Sequence, residues 1–132
     1  MKTAQDPRHL KRVQQMQDLF AYDFSHIPVE GEQKTAVDAV VADLPKIDAL
    51  IVGAAPAWPI GQINKVDLAI LRISVYELLH SDTPPKVVID EAIELAKEYG
   101  AEHSPKFVNG VLAHIAEQIR AQQMHKEVKE KK

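Results

Sequence analysis

Val66-Asp67-Leu68-Ala69-Ile70-Leu71-Arg72-Ile73-Ser74-Val75-Tyr76-Glu77-Leu78-Leu79-His80 is apolar on nearly every side of a helix. Only Asp67, Arg72, Ser74 and Glu77 interrupt it strongly, and a helix that is apolar all round is a buried one. At roughly fifteen residues such a helix is ~22 Å long. That is too short for a bilayer and suits the axle of a small helical domain. The other elements are expected to lie against it.

Downstream, Ser81-Asp82-Thr83-Pro84-Pro85 stops this helix, and an amphipathic helix is expected over Lys86–Tyr99. Its Val88, Ile89, Ala92, Ile93, Ala96 and Tyr99 are expected on one side and its acidic residues largely on the other, with Gly100 just past the end. Ser104-Pro105 reads as a cap followed by a first-position proline, opening a last helix through Phe107, Val108, Val111, Leu112, Ile115 and Ile119. From Gln122 the chain is charged and nearly free of core residues, so 1–121 is expected to form a single domain and 122–132 to fray or stay disordered.

Upstream, Asn64 is placed to cap the central helix, with Asp67 answering it in the manner of a capping box. Trp58 stands between Pro56 and Pro59 on a stiff loop, where an anchor packed on the core is expected rather than a ligand platform. Helices are expected over Thr35–Leu44 and Lys46–Ala55, with Pro45 either kinking the first or opening the second behind Asp43. The first helix is Arg8–Phe24, capped by Asp6 with Pro7 at its first position, and Ser25–Gln33 is turn-rich. No stretch holds the period-two alternation of a half-buried strand, so the fold class is all-α.

A chain of 132 residues with 45% hydrophobic content fills one core. Without cysteine it has no disulfide framework, thiolate metal site or cysteine nucleophile. The six histidines include no His-x-x-x-His pair, and there is no phosphate loop, nucleophile elbow or dinucleotide turn. A binding protein is expected, with no catalytic residues, metal or cofactor. No apolar run serves as a signal peptide or membrane span, which suggests a cytoplasmic protein with no membrane partner. The net charge of −3 argues against an indiscriminate nucleic-acid coat, so binding of that kind must be local. Lys2, Arg8, Lys11 and Arg12 against Asp6 make the chain start the basic region, and His9 can add to it.

Two oddities stand out. Asn109-Gly110 sits inside the last helix at a cost of ~1 kcal/mol or more against alanine, which suggests that Gly110 admits a close neighbour while Asn109 satisfies a loop backbone group. Arg72 in an apolar helix needs a carboxylate partner or an exit to the surface, where a phosphate could meet it.

Residues 66–78, then Pro85-Lys86-Val87-Val88-Ile89-Asp90-Glu91-Ala92-Ile93-Glu94-Leu95-Ala96-Lys97, then Ser104-Pro105-Lys106-Phe107-Val108-Asn109-Gly110-Val111-Leu112 resemble, in order and spacing, the C-terminal half of the NusB family of bacterial transcription antitermination factors. Arg8-His9-Leu10-x-Arg12 is similar to the family's arginine-rich first helix. Between Phe24 and Thr35 there is too little chain for the full second helix of most members, so the N-terminal half is shortened, and His103 stands where an acid is common.

The resemblance implies two small packed helical sub-bundles and no catalysis. It implies pairing with NusE, a small-subunit ribosomal protein, and binding of boxA RNA in ribosomal-RNA transcripts, within an elongation complex holding other Nus factors. Carried over, Arg8, Lys11 and Arg12 would meet phosphates, with His9, Arg72 and Lys106 added to the RNA set. Phe107 would offer a ring to a base, its competing role being core filler. Phe20 and Asp67 fall at positions that resemble NusE-facing ones. Two other readings remain open at this point: a helical adaptor that binds protein only, and an accessory domain in ribosomal-RNA processing.

Overall fold

The computed structural model describes residues 6–25 and 33–130. Among these the chain forms six helices and no strand: α1 Pro7–Ser25, α2 Gln33–Ala42, α3 Leu44–Ala54, α4 Lys65–His80, α5 Pro85–Tyr99 and α6 Ser104–Glu130, with a 3₁₀ turn at Ile60–Gln62 before α4. Lys2 and most of the expected 25–33 turn lie outside the described residues.

Helix α4 is the axle that its composition predicts. Asp67 through Val75 are buried without a break, which requires neighbours on every side, and α4 contacts α1, α2, α3, α5 and α6. The C-terminal set α4, α5 and α6 pack on one another in all three pairings, while α2 joins α1 to α3 in the N-terminal set. Ile70, Leu71 and Val75 of α4 meet Leu19 of α1, Ile47 and Ile51 of α3, and Leu112 and Ile115 of α6 in one core. The described part of α2 has ten residues, and the stretch 26–32 before it, where the shortening is expected, lies outside the described residues.

Local chemistry sets the helix ends. Asn64 Oδ1 accepts from Val66 N at 2.8 Å and Asp67 N at 3.4 Å, satisfying two of the first-turn N–H groups. The expected reply from Asp67 is replaced by another bond: its carboxylate is buried and hydrogen-bonds to Ser104. Ser104 is therefore not the cap of α6; its Oγ also accepts from Ala101 N at 2.9 Å, tying the α5–α6 turn to the start of α4. Pro45 opens α3 in the first turn behind Asp43, resolving the choice at that proline.

Gly100 ends α5 in extended backbone, φ −91° and ψ −171°, so its role is room rather than a left-handed turn. A Cβ there would stand 2.6 Å from Ser104 Cβ and 2.7 Å from Ala96 O. Gly110 has the opposite surroundings, being exposed with nothing within 4 Å of the place its Cβ would take. No helix approaches it, and Asn109 is exposed as well, so the expected close contact is corrected. Helix α6 runs on through Glu130 without a break at 121, and the side chains of 121–128 are exposed. Gln, Met, Lys and Glu are good helix formers, and no glycine or proline stops them.

Candidate nucleic-acid interface

The start of α1 is set by Asp6, whose Oδ1 accepts from Arg8 N at 2.9 Å, with Pro7 leading the helix. The Arg8 side chain folds back to the same carboxylate at 3.3 Å but stays 83% exposed, and Lys11 one turn on is exposed too. Arg8 holds the Asp6 carboxyl below the usual carboxylate range, chiefly through the side-chain hydrogen bond. In water such a pair is worth little, so both cations remain open to a phosphate.

The other cations expected at this corner turn inward. His9 is 4% exposed and lies between two carboxylates of α5, Nδ1 at 3.1 Å from Glu91 Oε2 and Nε2 at 3.0 Å from Glu98 Oε1. The Glu91 hydrogen bond leads in raising the imidazole above its ordinary pKa, with burial opposing it. Arg12 grips Glu77 of α4 with Nε to Oε1 at 3.0 Å and Nη2 to Oε2 at 2.6 Å, and its Nη1 lies 3.6 Å from Glu91. A two-pronged guanidinium–carboxylate pair of this kind is strong and directional. His9 and Arg12 thus rivet α1 to α4 and α5.

Arg72 resolves in the same way. Its Nε and Nη2 reach Asp48 at 3.0 and 2.9 Å and its Nη1 lies 3.3 Å from Asp23, and it is 6% exposed. Burial opposes its charge, yet the two aspartates outweigh that and raise its pKa. His9 and Arg72 are accordingly withdrawn from the phosphate-facing set because internal carboxylates already neutralise them out of water. Arg12 is spoken for to nearly the same degree.

Lys106 and Phe107 sit in the first turn of α6. Lys106 is exposed, whereas Phe107 is half-buried, packs against the core and meets Trp58 edge-on, ring centroids 6.3 Å apart at 73°. Trp58 is 51% exposed, which corrects its expected place as a core anchor: its proline-bounded loop sets the indole against Phe107 and leaves about half of the residue to solvent. Phe20 is half-buried against the core, and Asp67 is buried with Oδ1 lacking a partner among the described residues. Burial raises the Asp67 carboxyl pKa, opposed by Ser104.

Sequence reasoning missed a groove. Arg8, Lys11 and Gln15 of α1 face Ala36 and Ala39 of α2 and the Tyr76 and His80 rings of α4 across a cleft of about 700 Å³. No local signal marks it, because three helices distant in sequence build it. Among the described residues no group of His, Cys, Asp or Glu could hold a metal ion, and no helix is long and apolar enough to cross a membrane.

The sequence model of the NusB family matches residues 4–117. The transcription antitermination protein NusB of Geobacter sulfurreducens is 51% identical over 81 residues, 61% of this chain and 59% of that protein. That of Saccharopolyspora erythraea is 46% identical over 91 residues, 67% of this chain and 62% of the relative. The chain thus spans about three fifths of these relatives' length. Among solved structures, T. maritima NusB superposes with a TM-score of 0.75 at 34% identity, covering 89% of this chain and 93% of that one. A chain in the crystal structure of a plectonemic RNA supercoil gives a TM-score of 0.73 at 26% identity, covering 85% of this chain and 95% of its own.

Proposed function

The chain belongs to the NusB family, and from that premise we propose that it is a non-catalytic RNA-binding transcription antitermination factor. It pairs with NusE, binds boxA RNA of ribosomal-RNA transcripts in the cytoplasm, and joins other Nus factors on the elongating polymerase. The observation that carries the RNA role is the exposure of Arg8 and Lys11 along one edge of α1. Lys106, exposed next in sequence to Phe107 of the Trp58–Phe107 pair, offers a further contact. On the partner side, Phe20 and Asp67 fall at positions that resemble NusE-facing ones in the family's pattern, Phe20 half-buried and Asp67 buried.

Three exposed cations, Arg8, Lys11 and Lys106, on a chain of net charge −3 bind a single strand weakly. A second protein that extends the surface converts the later contacts into intramolecular ones. Mixing the chain with NusE of its own organism and a short boxA RNA is therefore expected to give a ternary complex at least tenfold tighter than either binary one. Equal RNA affinity with and without NusE would contradict the proposal. The withdrawal of His9, Arg12 and Arg72 into internal pairs favours one other reading, a protein-only adaptor. In that case NusE binds and RNA adds nothing.

A further inference from the structure

We infer that the cleft between α1, α2 and α4 seats one nucleotide of the bound RNA strand, with its base inside and the flanking phosphates on Arg8 and Lys11. The inference deepens the RNA reading above and rests on it. At about 700 Å³ the cleft lies within the ~300–1,000 Å³ typical of pockets for small organic ligands. Its floor is apolar through Leu19, Val40 and Ile73, the surface against which a flat heterocycle loses least water. One wall is aromatic: the Tyr76 and His80 rings lie 4.6 Å apart, tilted by 45°. His80 is held in place by its Nε2 at 2.8 Å from Asp43 Oδ2.

Charge selects the occupant. The one carboxylate that α4 turns toward the cleft, Glu77, is neutralised by the two-pronged grip of Arg12, and Asp6 offsets only Arg8, so Lys11 leaves the rim net positive. An apolar floor, an aromatic wall and a cationic rim fit a base with phosphates on either side. An acidic peptide would satisfy the rim and leave the floor wet. Gln15 also lines the cleft, and its amide, with donors and an acceptor, suits a base edge.

The test uses the full chain with NusE and a boxA RNA carrying 5-iodouridine. Ala39→Trp fills the cleft while leaving both cations in place, and a thermal melt shows that the variant is folded. It is expected to lower RNA affinity roughly tenfold or more, the scale of a lost base stack, with the salt dependence of binding unchanged because the phosphate contacts persist. Irradiation of the wild-type complex is expected to cross-link uridine to the α4 peptide holding Tyr76 and His80. Cross-links confined to α6, or a folded Ala39→Trp chain that binds RNA as the wild type does, overturn the inference and leave the RNA proposal standing. Loss of NusE with RNA affinity intact would give the cleft to the protein partner and overturn it too. A wild-type chain that binds no RNA even with NusE fails the RNA proposal itself. If Ala39→Trp does not fold, the cross-link decides.

Discussion

The His9 imidazole has a carboxylate oxygen 3.1 Å from one ring nitrogen and 3.0 Å from the other. Since a carboxylate only accepts, a ring so placed donates from both nitrogens and is an imidazolium. Its pKa is raised in the folded chain, first by Glu91, while the unfolded chain keeps the ordinary value of about 6.5. The folded state then binds more protons between the two values, so stability falls as pH rises there. The contribution is full below about pH 6.5 and is lost as pH climbs through the folded pKa. Urea unfolding of the wild type across pH 6 to 9 is expected to show this decline, and His9→Gln is expected to lack it. Parallel curves for the two would disprove the imidazolium. Arg12 and Arg72 belong to the same chemistry: each is a cation held by two acidic residues from other elements, and its removal would take a partner from partly or fully buried carboxylates.

At the scale of the element, two glycines separate room from waste. Gly110→Ala places a methyl group in open space on α6 and is expected to stabilise the chain by about 0.5–1 kcal/mol through helix propensity. Gly100→Ala drives a Cβ against Ser104 and the Ala96 carbonyl and is expected to cost about 1–3 kcal/mol. Thermal melts of both variants check the pair; destabilisation by Gly110→Ala would mean that something packs on that face. The helices themselves were legible because their signals are local. Apolar periodicity marks α5 and α6, Asn64 and Asp6 cap as their types suggest, and the all-round apolar α4 announces its own burial. What failed were inferences from one residue to its spatial neighbour. Gly110, Trp58 and Ser104 each have a familiar sequence role, and each is decided by what the chain brings alongside.

At the scale of the whole molecule the same limit governs the site. Arg8, Lys11 and Arg12 share one basic stretch, and nothing in it tells the outward pair from the inward one. The distinction comes from Glu77, 65 positions along the chain from Arg12, and from Glu91 and Glu98 on α5. Folding therefore spends most of the expected cationic corner on joining α1 to the C-terminal set and leaves a narrow edge on an otherwise acidic protein. Family likeness pointed to α1, and packing sorts its cations into exposed Arg8 and Lys11 and buried or paired His9 and Arg12. The measurement that bears on this most directly is RNA affinity of the NusE complex over a salt series, for the wild type and for Arg8→Gln with Lys11→Gln. At ~0.7 per phosphate contact on a single strand, the double variant is predicted to bind more weakly, to lose about 1.4 from the slope of log affinity against log salt, and to melt as the wild type does. An unchanged slope and affinity would contradict the account.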